Sequence, residues 1–174
     1  NSWNDPTVES QVAQALIDRG CDVISQHSDS TAPATTAEDN GVWQVGYNND
    51  MIEAAPNASL ISPRIDWGIY VTEAVQAVID GEEIPVDWCR GLEDGAVYLS
   101  PLNTDIAAEG TQEAIDAAQE KLISGEIHVF DGPLSGVSPE GEAYEVAEGE
   151  YYHEQEEASA PSWLYIVDGC NVVE

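Results

Sequence analysis

Two stretches join an apolar run to residues able to contact a ligand: Cys21-Asp-Val-Ile-Ser-Gln-His-Ser-Asp-Ser30 and Gly41-Val-Trp-Gln-Val-Gly-Tyr-Asn-Asn-Asp-Met51. His27, Asp29 and Ser30 carry the groups of a Ser/His/Asp nucleophile system. Neighbours this close in sequence rarely assume triad geometry, and no Gly-x-Ser-x-Gly elbow occurs, so no catalytic residue is assigned. Asn48, Asn49 and Asp50 offer oxygens that calcium accepts, but the Gly and Glu of an EF-hand loop are absent. His128 and His153 lack a second histidine at ligand spacing and there is no Cys-x-x-Cys, so no metal site and no cofactor are expected. What remains is hydrogen bonding. His27, Asp29 and Ser30 read either as ligand contacts or as turn formers ahead of a helix at Thr31; Asn48 and Asp50 read as a strand-end turn or a polar ligand clamp.

The elements that must position these groups alternate. Asp5-Pro6 is a helix start, followed by the stripe Val8, Val12, Ala13, Leu16 and Ile17 and closed by Gly20. A strand over Cys21–Ser25, a short helix over Ala32–Asn40 and a strand over Val42–Tyr47 follow. Strands and helices in that rhythm predict a Rossmann-like α/β fold with a doubly wound parallel sheet, in which ligands sit outside the carboxyl ends of the strands. Ala58–Ile65 reads as extended and interrupted by Pro63, near an edge or a crossing point. Trp67–Asp80 reads as a helix apolar around most of its circumference, which needs cover on more than one side. Gly95–Leu99 reads as a strand, Thr111 as the cap of a helix through Ser124, and Ile127–Phe130 as a short strand. From Ser135 to Ala158 there are eight Glu and no Lys or Arg, which reads as an extended acidic arm, with Trp163–Val167 docking back. Cys21 and Trp43 read as buried, Trp88 and Trp163 as structural. Trp67 reads as hinge packing or as a stacking face, and Trp3 as cleft or packing.

Thirty-four acidic residues stand against four basic ones, for a formal net charge of −30. That field repels phosphate backbones, so no nucleic-acid partner is expected. The acids are spread over every segment, the pattern of a solvated coat suited to high salt, and a halophilic or secreted source fits it. No apolar run is long enough to span a bilayer. With no initiator Met and no signal peptide, the chain is expected to be a processed product or a piece of a longer protein. Cys89 and Cys170 lie in loop-like contexts, and a disulfide between them would suit an exported protein.

With the pieces placed, the chain resembles the basic membrane protein family, the substrate-binding lipoproteins of ABC importers. The likeness is carried by Asn1-Ser-Trp-Asn-Asp-Pro6, the Cys21–Ser30 run, Gly46-Tyr-Asn-Asn-Asp-Met51, Ala55-Pro56, Ser62-Pro63, Asp66-Trp-Gly68, Gly91-Leu-Glu-Asp-Gly-Ala-Val97 and Val129-Phe-Asp-Gly-Pro133. These stand in collinear order over residues 1 to about 134. The resemblance implies a type I periplasmic-binding-protein lobe with hinge-return segments over 1–134, and an acidic arm and docking tail over 135–174. It implies an extracytoplasmic, cell-surface or periplasmic protein that is a solute binder rather than an enzyme. It further implies a purine base or nucleoside as solute and an ABC permease as partner, and a strand ahead of Asn1 that ends at Trp3. The ligand-binding set it implies is Trp3, His27, Asp29, Ser30, Asn48, Asp50 and Trp67, completed by the missing N-terminal lobe or a second copy. Asn48 stands where the family usually carries aspartate. Positions 63 to 67 read Pro-Arg-Ile-Asp-Trp, without the lysine that nucleoside-binding members carry just after this segment, so the resemblance implies a free purine base or another small solute as readily as a nucleoside. The alternatives are a sensor or interaction protein on the same fold and a flavodoxin-like enzyme; against the latter, no phosphate-cradling glycine motif occurs.

Overall fold

The computed structural model describes residues 3–153 and 163–172; the part of the acidic arm beyond residue 153 and the Asn1-Ser2 portion of the first motif lie outside them. Helix α1 (Pro6–Asp18) begins where Asp5 Oδ1 accepts from the backbone N–H of Thr7 and Val8 at 3.2 and 3.1 Å. It ends where Gly20, at φ +95°, turns the chain and returns Cys21 N–H to the Leu16 carbonyl at 3.1 Å. Strand β1 (Val23–Ser25), helix α2 (Ala32–Asn40, closed by Gly41 at φ +66°), strand β2 (Trp43–Val45) and strand β3 (Ser59–Ile61) follow. The three strands form a parallel sheet in the order β1-β2-β3, in register at Val23–Trp43 and Gln44–Ser59. This is the α/β architecture of a type I periplasmic-binding lobe.

The helices α1 and α2 pack against each other and against this sheet. The core they enclose is built of small side chains: Ala13, Ala34, Ala37, Ala55 and Ala58 around Ile24 and Met51. Alanine at the contact points lets the two helices approach closely, and Ser10 and Thr36 share a 2.8 Å hydrogen bond across the seam. Alternation along the strands sends Ile24 and Gln44 into this layer and turns Val23 and Trp43 to the other face. Among the described residues that second face is uncovered: Val23 is 47% and Trp43 42% exposed. Trp43 is therefore not a core residue, because nothing among the described residues packs over its side of the sheet. Cys21 is likewise exposed rather than buried, since the strand starts two residues later, at Val23.

After β3 the chain leaves the parallel sheet at Ser62, which is fully buried and exchanges bonds with Ser100 through its own backbone N–H and carbonyl. Strand β4 (Pro63–Ile65) then pairs antiparallel with β5 (Val97–Leu99). Helix α3 (Trp67–Asp80) starts at Asp66, whose Oδ1 accepts from Gly68 N–H at 2.8 Å. Helix α4 (Thr111–Ser124) has Gly110, not Thr111, at its N-cap; that residue stands at φ +86°, a conformation a threonine strongly disfavours. No residue of α3 or α4 is buried.

Residues 127–130 form no strand. The His128 N–H donates to Asp131 Oδ2 at 2.8 Å and closes a turn; that bond, with the His128 ring, holds the Asp131 carboxyl below its ordinary pKa. Strands β6 (Leu134–Val137), β7 (Ala143–Val146) and β8 (Ile166–Val167) make an antiparallel sheet in the order β7-β6-β8. Its filling is aromatic: Phe130 stacks on Trp163 with ring centroids 4.0 Å apart, and Tyr144 on Tyr165 at 4.0 Å. Cys89 and Cys170 are exposed thiols and do not form a disulfide. Each is tied to its own surroundings, Cys89 beside Trp88, which donates to Glu73 of α3 at 2.6 Å, and Cys170 in the turn closed by its N–H to the Val167 carbonyl at 3.0 Å.

Candidate functional site

The loop beyond β1 is folded by two buried amides. Gln26 Nε2 donates to the carbonyls of Ser28 and Ser30, both at 2.9 Å, and Gln26 Oε1 accepts from Gln44 Nε2 on the adjacent strand at 2.8 Å. Glu9 of α1 reaches the same loop from below. Its Oε2 accepts from the Ser30 hydroxyl and its Oε1 from Asp5 N–H at 2.7 Å. Burial alone would raise the pKa of this carboxyl, but the bonds from Ser30, the Asp5 backbone and Ser28 together outweigh it and hold the pKa below the usual value. An ionised glutamate with 8% exposure thus anchors the loop that carries His27 and Asp29.

The loop beyond β2 begins with Gly46. A Cβ there would overlap Ser62 Oγ and lie 2.9 Å from Met51 Cγ, so only glycine lets β2 pass this close to the start of β4. Asn48 follows at φ +61°, its N–H bonded to the Pro63 carbonyl at 2.7 Å and its carbonyl accepting from Arg64 Nε at 3.2 Å. Asparagine tolerates this left-handed conformation better than most side chains. Asp50 Oδ1 accepts from Ile52 N–H at 3.0 Å and closes the turn.

These loops bring several of the candidate residues together. His27 lies 5.5 Å from Trp3 and 4.0 Å from Tyr47 by ring centroids, a row of three rings across the strand ends. Trp3 is tied down by its carbonyl, which accepts from Asp29 N–H at 2.7 Å. The Ser30 hydroxyl is spent on Glu9 and on Ala32 N–H, so Ser30 shapes the loop. Asn48 and Asp50 share the neighbouring turn. Trp67 stands apart at the first position of α3, 63% exposed and in no ring contact with Trp3, His27 or Tyr47. Sequence reasoning missed Glu9, Gln26, Tyr47 and Arg64. Glu9 and Gln44 did carry a signal, each a polar group within an otherwise apolar pattern.

Below Trp3 and His27 a groove of about 630 Å³ runs along β1, floored by Val8, Val12 and Leu16 of α1 and by Ile24. Its floor is apolar and follows the open edge of β1, while its rim is polar. Among the described residues no three His, Cys, Asp or Glu side chains gather as metal ligands, and no helix is long and apolar enough to cross a membrane. The site offers rings, amides and single carboxylates: means of holding a flat polar solute.

Three parallel strands with two helices packed against them and a row of rings at the strand ends make up this lobe, and comparison with known proteins gives its family. The chain belongs to the Bmp family, the PnrA-like ABC transporter substrate-binding proteins, whose pattern matches residues 1–131. It is 35% identical over 134 residues to a purine-binding protein of Brucella abortus, covering 77% of this chain and 38% of that one. It is 32% identical over 163 residues to TsgA13 of Haloferax volcanii, provisionally named an ABC transporter glucose-binding protein, covering 93% of this chain and 41% of that one. The chain thus spans about two fifths of the length of these relatives. Among solved structures, a transcriptional activator of the comK gene from Bacillus halodurans superposes with a TM-score of 0.64 at 18% identity, over 74% of this chain and 46% of that one. An ABC transporter solute-binding protein from Aeropyrum pernix gives 0.57 at 18%, over 76% and 46%. At such identities these two speak for the fold alone.

Proposed function

We propose that this chain supplies one half of the ligand cleft of an extracytoplasmic solute receptor, and that the solute is a purine base or nucleoside delivered to an ABC permease. The observation that carries this reading is the Trp3–His27–Tyr47 row at the ends of β1 and β2. A flat heterocycle stacks on aromatic faces, and the His27, Asp29 and Asn48 side chains can bond its edge. The name of the Brucella relative supports the purine class.

In this reading residues 1–134 are a lobe with hinge-return segments and 135–174 an appended acidic arm and tail. A strand leading into Trp3 would lie in the groove along β1, parallel to it. The second lobe would cover the apolar faces of α3 and α4 and bring cover to the open side of the cleft near Trp67. Hinge closure over the solute would then be the signal to the permease. The protein would reside at the cell surface, held by a lipid anchor, or in the periplasm.

The test is a thermal-shift titration of the two-lobed protein and of the 174-residue chain with adenine, guanine, hypoxanthine, their nucleosides and glucose. At a hundred times its dissociation constant a ligand stabilises by about 2.7 kcal/mol. A shift with purines in the two-lobed protein supports the proposal. A shift with glucose alone, the class named for the Haloferax relative, replaces it with a sugar receptor.

A further inference from the structure

The turn that follows Tyr47 is tied to the β4–β5 pair through Arg64. The next residue, Asn48, accepts from Arg64 Nε at 3.2 Å, and the Arg64 guanidinium lies 5.4 Å above the ring of Tyr98, its cross-strand partner on β5. Arg64 is one of four basic residues in a chain with 34 acidic ones. Two of the others have evident uses: Arg90 lies 3.8 Å from Asp94 and Lys121 3.0 Å from Glu126. Arg19 caps the C-terminal end of α1, where a cation suits the helix dipole. Arg64 has neither a helix end nor, among the described residues, a carboxylate within ion-pair distance. It is instead clamped at the strand-end turn by a backbone carbonyl and an aromatic face. With Nε engaged, its two Nη groups, four N–H donors in a rigid plane, remain for another acceptor.

We propose that Arg64 is a specificity-determining residue of the cleft and that it selects 6-oxopurines, hypoxanthine and guanine or their nucleosides, over adenine. This rests on the purine reading above. A guanidinium fork matches two adjacent acceptors, and the O6 and N7 atoms of a 6-oxopurine form such a pair. Adenine presents an acceptor at N7 but an amino donor at N6, which faces the arginine donors unfavourably. A phosphate-bearing ligand would also suit an arginine, but the −30 field opposes it, whereas a neutral oxopurine is indifferent to that field.

Isothermal titration of the two-lobed protein with hypoxanthine, guanine and adenine tests this, using wild type, Arg64→Gln and Arg64→Lys. The wild type is expected to bind hypoxanthine on the order of tenfold or more tightly than adenine, the discrimination of one good bidentate pair. Arg64→Gln, whose amide presents one donor and one acceptor, is expected to cancel or reverse the preference. Arg64→Lys keeps the charge, loses the fork and is expected to lose most of the preference. Should Arg64→Gln fail to fold, the wild-type ratio and the lysine variant decide. Equal binding of adenine and hypoxanthine by the wild type overturns the role of Arg64 and leaves the purine reading standing. So does an equal loss for all three ligands in both variants, which marks Arg64 as merely structural. Binding of glucose and of no purine overturns both.

Discussion

Glu9 and Ser30, on helix α1 and on the loop after β1, are joined by a hydrogen bond in which the serine hydroxyl donates to the buried carboxylate. The bond ties the loop that carries His27 and Asp29 to helix α1. Glu9→Ala would leave the Ser30 hydroxyl and the Asp5 N–H without their acceptor, so we expect a loss of about 1–3 kcal/mol. Urea denaturation of the variant measures it, and an unchanged midpoint would remove the anchor.

The same carboxylate gives a pH dependence with a definite sign. Its pKa is depressed in the folded state, so its stabilising contribution is present above the unfolded value of about 4.3 and is lost as pH falls through the folded value. Acid also relieves the repulsion of the acidic coat, so the wild type alone mixes two opposing effects. The informative quantity is the gap between wild type and Glu9→Gln. It should be open at pH 7 and close progressively below the ordinary carboxylate range; a gap independent of pH would contradict the assignment.

Gly46 and Ser62 lie too close for any added atom. Gly46→Ala is expected to destabilise by roughly 1–3 kcal/mol through overpacking. Because the first clash is with the serine hydroxyl, Gly46→Ala combined with Ser62→Gly should recover much of the loss. A double variant no better than the single one would locate the clash elsewhere, at Met51.

The net charge of −30 predicts a strong salt dependence. The Debye length falls from about 10 Å at 0.1 M to about 3 Å at 1 M salt, which removes most repulsion between surface carboxylates. The denaturation midpoint should rise steadily over that range in potassium chloride. A flat response would mean that the acids are too widely spaced to matter.

On α3, Val75 and Ile79 are 53% and 70% exposed. In the 174-residue chain Val75→Lys and Ile79→Lys should change stability by no more than about 0.5 kcal/mol. Both should reduce binding of a hydrophobic dye. Under the proposed two-lobed arrangement, the same changes in the longer protein should be markedly destabilising, because a charge would then be placed under cover. Equal effects in the two forms would show that this face stays open.

The sequence by itself determined what rests on neighbours along the chain. Asp5-Pro6 and Gly20 mark the two ends of α1 because capping and left-handed turns act within about four residues. The apolar runs around Ile24 and Gln44 set the parallel strands, and the collinear motifs set the family. Even local reasoning failed where two signals competed: Thr111 is a good capping residue, but the glycine before it takes the cap.

Only the tertiary structure decided which distant groups meet. That Glu9 holds Ser30, that His27 stands between Trp3 and Tyr47, and that Arg64 reaches the Asn48 turn depend on strand order and register. No spacing encodes these. Trp43 shows the same limit from the other side: its apolar neighbours announced a strand, but its burial depended on a layer over its face of the sheet, and none of the described residues packs there. Local structure follows from backbone sterics and capping within a few residues; sites and burial follow from the packing of segments far apart in the chain, which only the assembled fold specifies.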